Sequence, residues 1–73
     1  MKYYIKMNNM YLISLYVDEE YVINEFIKSI EFSLSKSYAL TYDKDISYMI
    51  MQKLINIGFD SHTLYIEGCD NNE

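Results

Sequence analysis

His62 and Cys69 are the two residues of this chain that could hold a soft metal, and they stand seven positions apart. A structural zinc takes four such ligands. Two on one extended segment read as a strand-edge histidine and a tail cysteine. As a nucleophile and its base, the same pair needs a third group to orient the imidazole and a pocket to exclude water. One strand followed by a tail does not turn the two side chains toward each other. Carboxylates are plentiful: Asp18, Glu19 and Glu20 are consecutive, and Asp43 and Asp45 are two apart. Acid–base catalysis needs two carboxylates in different environments within one cleft. Each cluster stands instead where a helix is expected to begin, and acids there already serve the helix dipole. The Asp43-Lys44-Asp45 run lacks the glycine and distal ligands of a calcium loop. Gly58 and Gly68 are the only glycines, so no glycine-rich loop can cradle a phosphate. The expectation is a non-enzymatic protein that uses no cofactor and no metal.

What remains is surface chemistry. The chain has eleven acids against six lysines and no arginine, a net charge of -5 and nine tyrosines among 73 residues. Phosphate and base recognition rest on cationic footprints and on the planar fork of arginine. Direct nucleic-acid binding is therefore not expected. Tyrosine combines an apolar ring with a hydroxyl and is enriched in binding hot spots. Nine exceed what a core of this size needs, so Tyr4, Tyr16, Tyr21, Tyr48 and Tyr65 are candidates for exposure. The candidate binding residues are Asp18, Glu19, Glu20, Tyr21 and Glu25 in one group and Asp43, Asp45 and Tyr48 in the other. Acids around tyrosines favour a basic partner. The alternative is that the acids only keep a small protein soluble.

The element that organises the chain is a helix over Tyr42–Phe59. Asp43 or Asp45 can cap its start. Ile46, Met49, Ile50, Leu54 and Ile57 fall on one stripe at helical spacing. Lys53 suits the C-terminal end, and Gly58 can take the left-handed conformation that stops a helix.

Ahead of it, residues 2–7 and 10–17 alternate as two strands around Asn8-Asn9, a pair that tolerates a tight hairpin turn. The outer face of that hairpin is expected to show Lys2, Tyr4, Lys6, Ser14 and Tyr16. Asp18-Glu19-Glu20 looks like a second helix start, with Ile23, Phe26, Ile27 and Ile30 as its buried stripe. Its far end has two readings. The helix runs to about Ser35 and a strand covers 38–42, or it ends near Ser29 and strand covers 31–42. Ile30, Phe32, Leu34, Tyr38, Leu40 and Tyr42 all fall on even positions, and four serines between 29 and 37 weaken a helix. The first reading is preferred. Residues 62–67 form a last strand that Gly68 ends.

The order is then β-β-α-β-α-β, an α+β domain with a mainly antiparallel sheet and two helices on one face. Residues 1–68 make a single domain and 69–73 a polar tail. No run approaches the length of a membrane span, the N-terminal segment lacks a signal-peptide cleavage site, and one cysteine allows no internal disulfide. These point to a reducing cytoplasm.

The functional expectation is an acidic protein-binding module that docks a basic, nucleic-acid-handling protein and occupies its groove in place of phosphates. Ten Ile, nine Tyr, six Asn and lysine without arginine suggest an AT-rich coding sequence, the composition of small phage or mobile-element inhibitors acting in a bacterial host. The second expectation is a homodimer in which residues 2–7 pair as an edge strand.

Overall fold

A computed structural model describes residues 1–18 and 26–69. Two strands open the chain: β1 spans Tyr3–Met7 and β2 Met10–Asp18. Asn8 and Asn9 join them, Met7 faces Met10, and Asn8 takes a φ of 56°. The hairpin is therefore built as its asparagines predict, because Asn accepts a left-handed turn that most side chains resist.

The helix expected from Asp18 is not present across 26–33. Phe26–Ser33 is strand β3, antiparallel to β2. The period of two in this stretch is the signal that governs. It sets Ile30 and Phe32 opposite Leu15 and Leu12, where they pack on the core, while Ser29 and Glu31 are exposed. β2 supplies an adjacent nine-residue template, and serine-rich sequence has little helical propensity to oppose it. The early part of that expected helix, Glu19 to Glu25, lies outside the described residues. The next strand is also shorter than expected: β4 covers only Thr41–Tyr42.

Helix α1 spans Lys44–Asn56, and β5 spans Leu64–Gly68. Among the described residues the order is thus β-β-β-β-α-β, an antiparallel five-stranded sheet with one helix. The α+β class and the antiparallel sheet stand; among the described residues there is no second helix. Gly68, expected to end β5, is paired with Tyr3 inside it.

β1 is the hub. It pairs with β5 along Tyr3–Met7, with β2 at Lys6 and Met7, and with β4 at Tyr3 and Tyr4. β2 leaves β1 after the turn and continues beside β3, and β4 takes its place. Residues 2–7 are therefore central. The edge-strand homodimer expected there is excluded, since both sides of β1 are hydrogen-bonded.

Two β-bulges tune the β2–β3 ribbon. The register shifts between Leu12 and Ser14, which leaves Ile13 as the extra residue, and between Tyr16 and Val17, where Lys28 of β3 is extra. A bulge moves the following side chains to the other face. Simple alternation placed Tyr11, Ile13 and Leu15 on one face. In the fold Leu12 and Leu15 both face the core, and Leu12 is fully buried.

The core is Ile5, Leu12, Ile50, Leu54 and Leu64, flanked by Met51, Ile55, Phe59 and others. On α1 the buried side is Ser47, Ile50 and Leu54. Ile46, Met49 and Ile57, expected on the buried stripe, are 42%, 55% and 52% exposed. The helix is turned so that Ser47 enters the core in place of Ile46. Its hydroxyl is satisfied by donating to the Asp43 carbonyl at 2.9 Å. The helix stop is as expected. Gly58 has a φ of 121°, its N–H donates to Ile55 O, and Phe59 N–H donates to Leu54 O, each at 3.0 Å. That double bond pattern is a Schellman motif. It swings Phe59 onto Phe32, with ring centroids 6.0 Å apart.

Candidate functional site

Asp43, Asp45 and Tyr48 are brought together at the start of α1, and all three are exposed. Asp43 occupies the N-cap position with extended backbone, but its side chain makes no capping bond. Its carboxylate instead meets Lys2 Nζ at 3.2 Å in a solvent-exposed ion pair. The carbonyl of Asp43 does the local work, accepting from Ser47 N–H at 2.8 Å and from the Ser47 hydroxyl. Asp45, in the first turn, is left to the dipole and to solvent. Tyr48 is 51% exposed, as are Met49 at 55% and Ile46 at 42%. The outward flank of α1 thus carries apolar surface next to its acidic start.

Of the other expected group, Asp18 alone is among the described residues. Asp18 ends β2, opposite Phe26 of β3. Glu19, Glu20, Tyr21 and Glu25 lie outside the described residues.

Sequence reasoning misplaced a second constellation, on the sheet face away from Ile5 and Leu12. Tyr4 and Lys6, expected outside, are buried at 9% and 8% exposure. Tyr4 meets Tyr11 edge-on, centroids 5.2 Å apart. Lys6 Nζ lies 4.4 Å from the Tyr11 ring centroid and 5.5 Å from that of Tyr65, and 3.2 Å from Glu67 Oε1. Burial pulls the Lys6 pKa down, but the contacts with Glu67 and Tyr65 outweigh it, so the net shift is upward. This ammonium is a structural cation, charged and held by rings and a carboxylate. It is not poised to give up its proton at neutral pH.

Cys69 closes the same cluster. Its N–H donates to Lys2 O at 2.8 Å, and its Sγ lies at hydrogen-bond distance, 3.3 Å, from Tyr4 Oη. The bond with Cys69, followed by burial, raises the Tyr4 pKa to about 12. His62 stands apart. Its backbone N–H and Nδ1 both lie near Asp60 Oδ1, at 2.9 and 3.2 Å, and the Asp60 pKa is lowered, first by that backbone bond. Cys69 and His62 therefore serve different local networks. Among the described residues no three His, Cys, Asp or Glu side chains gather as a metal site, and no helix is long and apolar enough to cross a membrane.

The Lys6–Tyr11 pair follows from the Asn8-Asn9 hairpin, whereas Lys6–Tyr65 carries no sequence signal of its own, since those two residues are far apart in the chain. Tyr16, Tyr48 and Tyr65 are exposed as expected. Leu34, on the helix of the preferred reading and on the strand of the other, and Tyr38, at the start of the expected strand, are 72% and 81% exposed and lie outside the helix and the strands. No family model matches the chain, and neither a curated protein nor a solved structure does.

Proposed function

We propose that this chain is a small, non-enzymatic protein-binding module that docks a partner with a basic surface. The observation that carries the reading is the first turns of α1, where Asp43, Asp45, Ile46, Tyr48 and Met49 are all exposed. An apolar patch with a charged margin is the usual composition of a docking surface, with aromatic and Met side chains at its centre. The net charge of -5 steers the module toward basic surfaces and raises its encounter rate with them.

Proteins that handle nucleic acids present such surfaces as lysine- and arginine-lined grooves. Occupying one in place of phosphates makes the module an inhibitor, and a phage-encoded anti-defence protein acting in a bacterial cytoplasm is the setting that fits the composition. Asp18, Glu19, Glu20, Tyr21 and Glu25 extend the acidic surface in this reading.

Affinity capture from a bacterial lysate at low and high ionic strength tests it. The captured protein is expected to be basic and to be released by salt. Asp43→Asn with Asp45→Asn should weaken capture, and neutralising Asp18, Glu19 and Glu20 together should weaken it further. Capture that is indifferent to salt and to both sets of changes counts against the proposal.

A further inference from the structure

The sheet has two long edges, and they differ. β3 is one. Its pairing with β2 is interrupted by the bulge at Lys28, and a bulge is a device that twists an edge away from further pairing. β5 is the other. Among the described residues it pairs with β1 alone, through five consecutive partners from Leu64↔Met7 to Gly68↔Tyr3 without a shift. It contains no proline, no lysine and no bulge.

The hydrogen bonds flanking β5 fix which of its backbone groups face outward. Asn8 donates to Thr63 O, and Cys69 donates to Lys2 O. Antiparallel ladders alternate, so Tyr65 and Glu67 also bond toward β1. Leu64, Ile66 and Gly68 turn their N–H and C=O groups to the free edge.

We propose that two copies of the chain associate by pairing β5 with β5, antiparallel and centred on Ile66. A two-fold axis normal to the sheet keeps Leu64 and Ile66 of both copies on the helix face. It sets Ile66 opposite Ile66 in a hydrogen-bonded pair. Leu64 lies opposite Gly68, large against small, and Tyr65 lies opposite Glu67. The whole five-residue strand is used, and the two Glu67 carboxylates do not face each other. Shifting the centre to Glu67 opposes those carboxylates, which is destabilising. The self-complementary register is what selects a second copy as the occupant. The sheet then runs continuously through both copies, with five strands from each.

This association is independent of the basic-partner reading, and its salt response has the opposite sign. Two copies that each carry -5 repel, so salt strengthens the dimer by screening, whereas it weakens a complex with a basic protein.

Light scattering and sedimentation across roughly a hundredfold dilution test the proposal. The expected result is a dimer at the concentrated end, dissociating on dilution and favoured by salt. Ile66→Pro removes an outward N–H and no β1 bond, so the variant should be folded and monomeric throughout. Residue-resolved hydrogen exchange on the unaltered chain gives a second readout that does not depend on that variant folding. The amides of Leu64, Ile66 and Gly68 should be protected when concentrated and lose protection on dilution, while Tyr65 and Glu67 stay protected at both ends. A monomer across the whole range overturns the proposal. So does a dimer in which those three amides exchange freely, or one that a folded Ile66→Pro variant retains.

Discussion

Tyr4 and Lys6 are two residues apart on β1, and both are held by groups from other strands. Their pKa shifts make alkaline pH the sensitive direction. The raised Tyr4 value favours its neutral form in the folded chain. That contribution is complete below the ordinary tyrosine value of 10.0 and is lost as the pH rises toward about 12. Lys6 is also raised, which favours its charged form, and its contribution is likewise lost as the pH climbs past the ordinary lysine value. Tyrosinate absorbance should therefore show one tyrosine titrating near 12, and stability should fall above about pH 10. Cys69→Ala should lower the Tyr4 midpoint, since the bond to sulfur is the largest cause of the shift. A Tyr4 midpoint unchanged by that substitution contradicts the assignment. Asp60 acts at the acid end. Its pKa lies below 3.8, so what it contributes is present above that value and is lost as the pH falls through the lower folded value. Burial of Tyr4 and Lys6 was not legible in the sequence. Alternation tells which side of a strand a residue takes. It does not tell that Tyr11 and Tyr65, from β2 and β5, will close over that side.

At the scale of the element, α1 separates what is local from what is not. Its stop is local: Gly58 holds a φ of 121° with open space around its Cα. Gly58→Ala should cost about 1–2 kcal/mol, all of it backbone strain, measurable by denaturant unfolding. Its start was half legible. Asp43 is at the cap position, yet its carboxylate goes to Lys2. A capping aspartate is worth about 1 kcal/mol, and an exposed ion pair much less. Asp43→Ala should cost under about 0.5 kcal/mol. The buried face was the least legible, because Ile46, Met49 and Ile57 fit helical spacing as well as the true side does. Ile50 and Leu54 belong to both stripes, and only packing on Ile5 and Leu64 decides that Ser47 enters the core. Ile50→Asp should unfold the domain, since an unpaired buried charge costs about 3–5 kcal/mol and a small domain holds little more than that in total. Met49→Asp should leave the fold intact. If Met49→Asp unfolds the chain while Ile50→Asp does not, the helix is turned the other way. β3 fell to the same limit. The acids at 18–20 promised a helix, the even-position alternation promised a strand, and the edge of β2 gave the second pattern something to pair with.

At the scale of the molecule, the class was legible and the topology was not. Strands flanking a capped amphipathic helix imply an α+β domain, but no local pattern says that β1 will sit between β5 and the β2–β4 pair. That placement removes residues 2–7 as an edge and leaves β5 open. Asp18 ends β2, an element other than α1, at whose start Asp43 and Asp45 stand. A binding role for the acidic surface follows from charge and exposed side chains at the start of α1, and it is there that the account is most exposed to test. The direct measurement is the salt dependence of partner capture, compared between the unaltered chain and a variant carrying Asp43→Asn and Asp45→Asn. The expected result is a basic partner whose affinity falls as salt rises, with a weaker affinity and a shallower salt slope for the variant. A partner held equally well at all salt concentrations, and equally well by the variant, contradicts it.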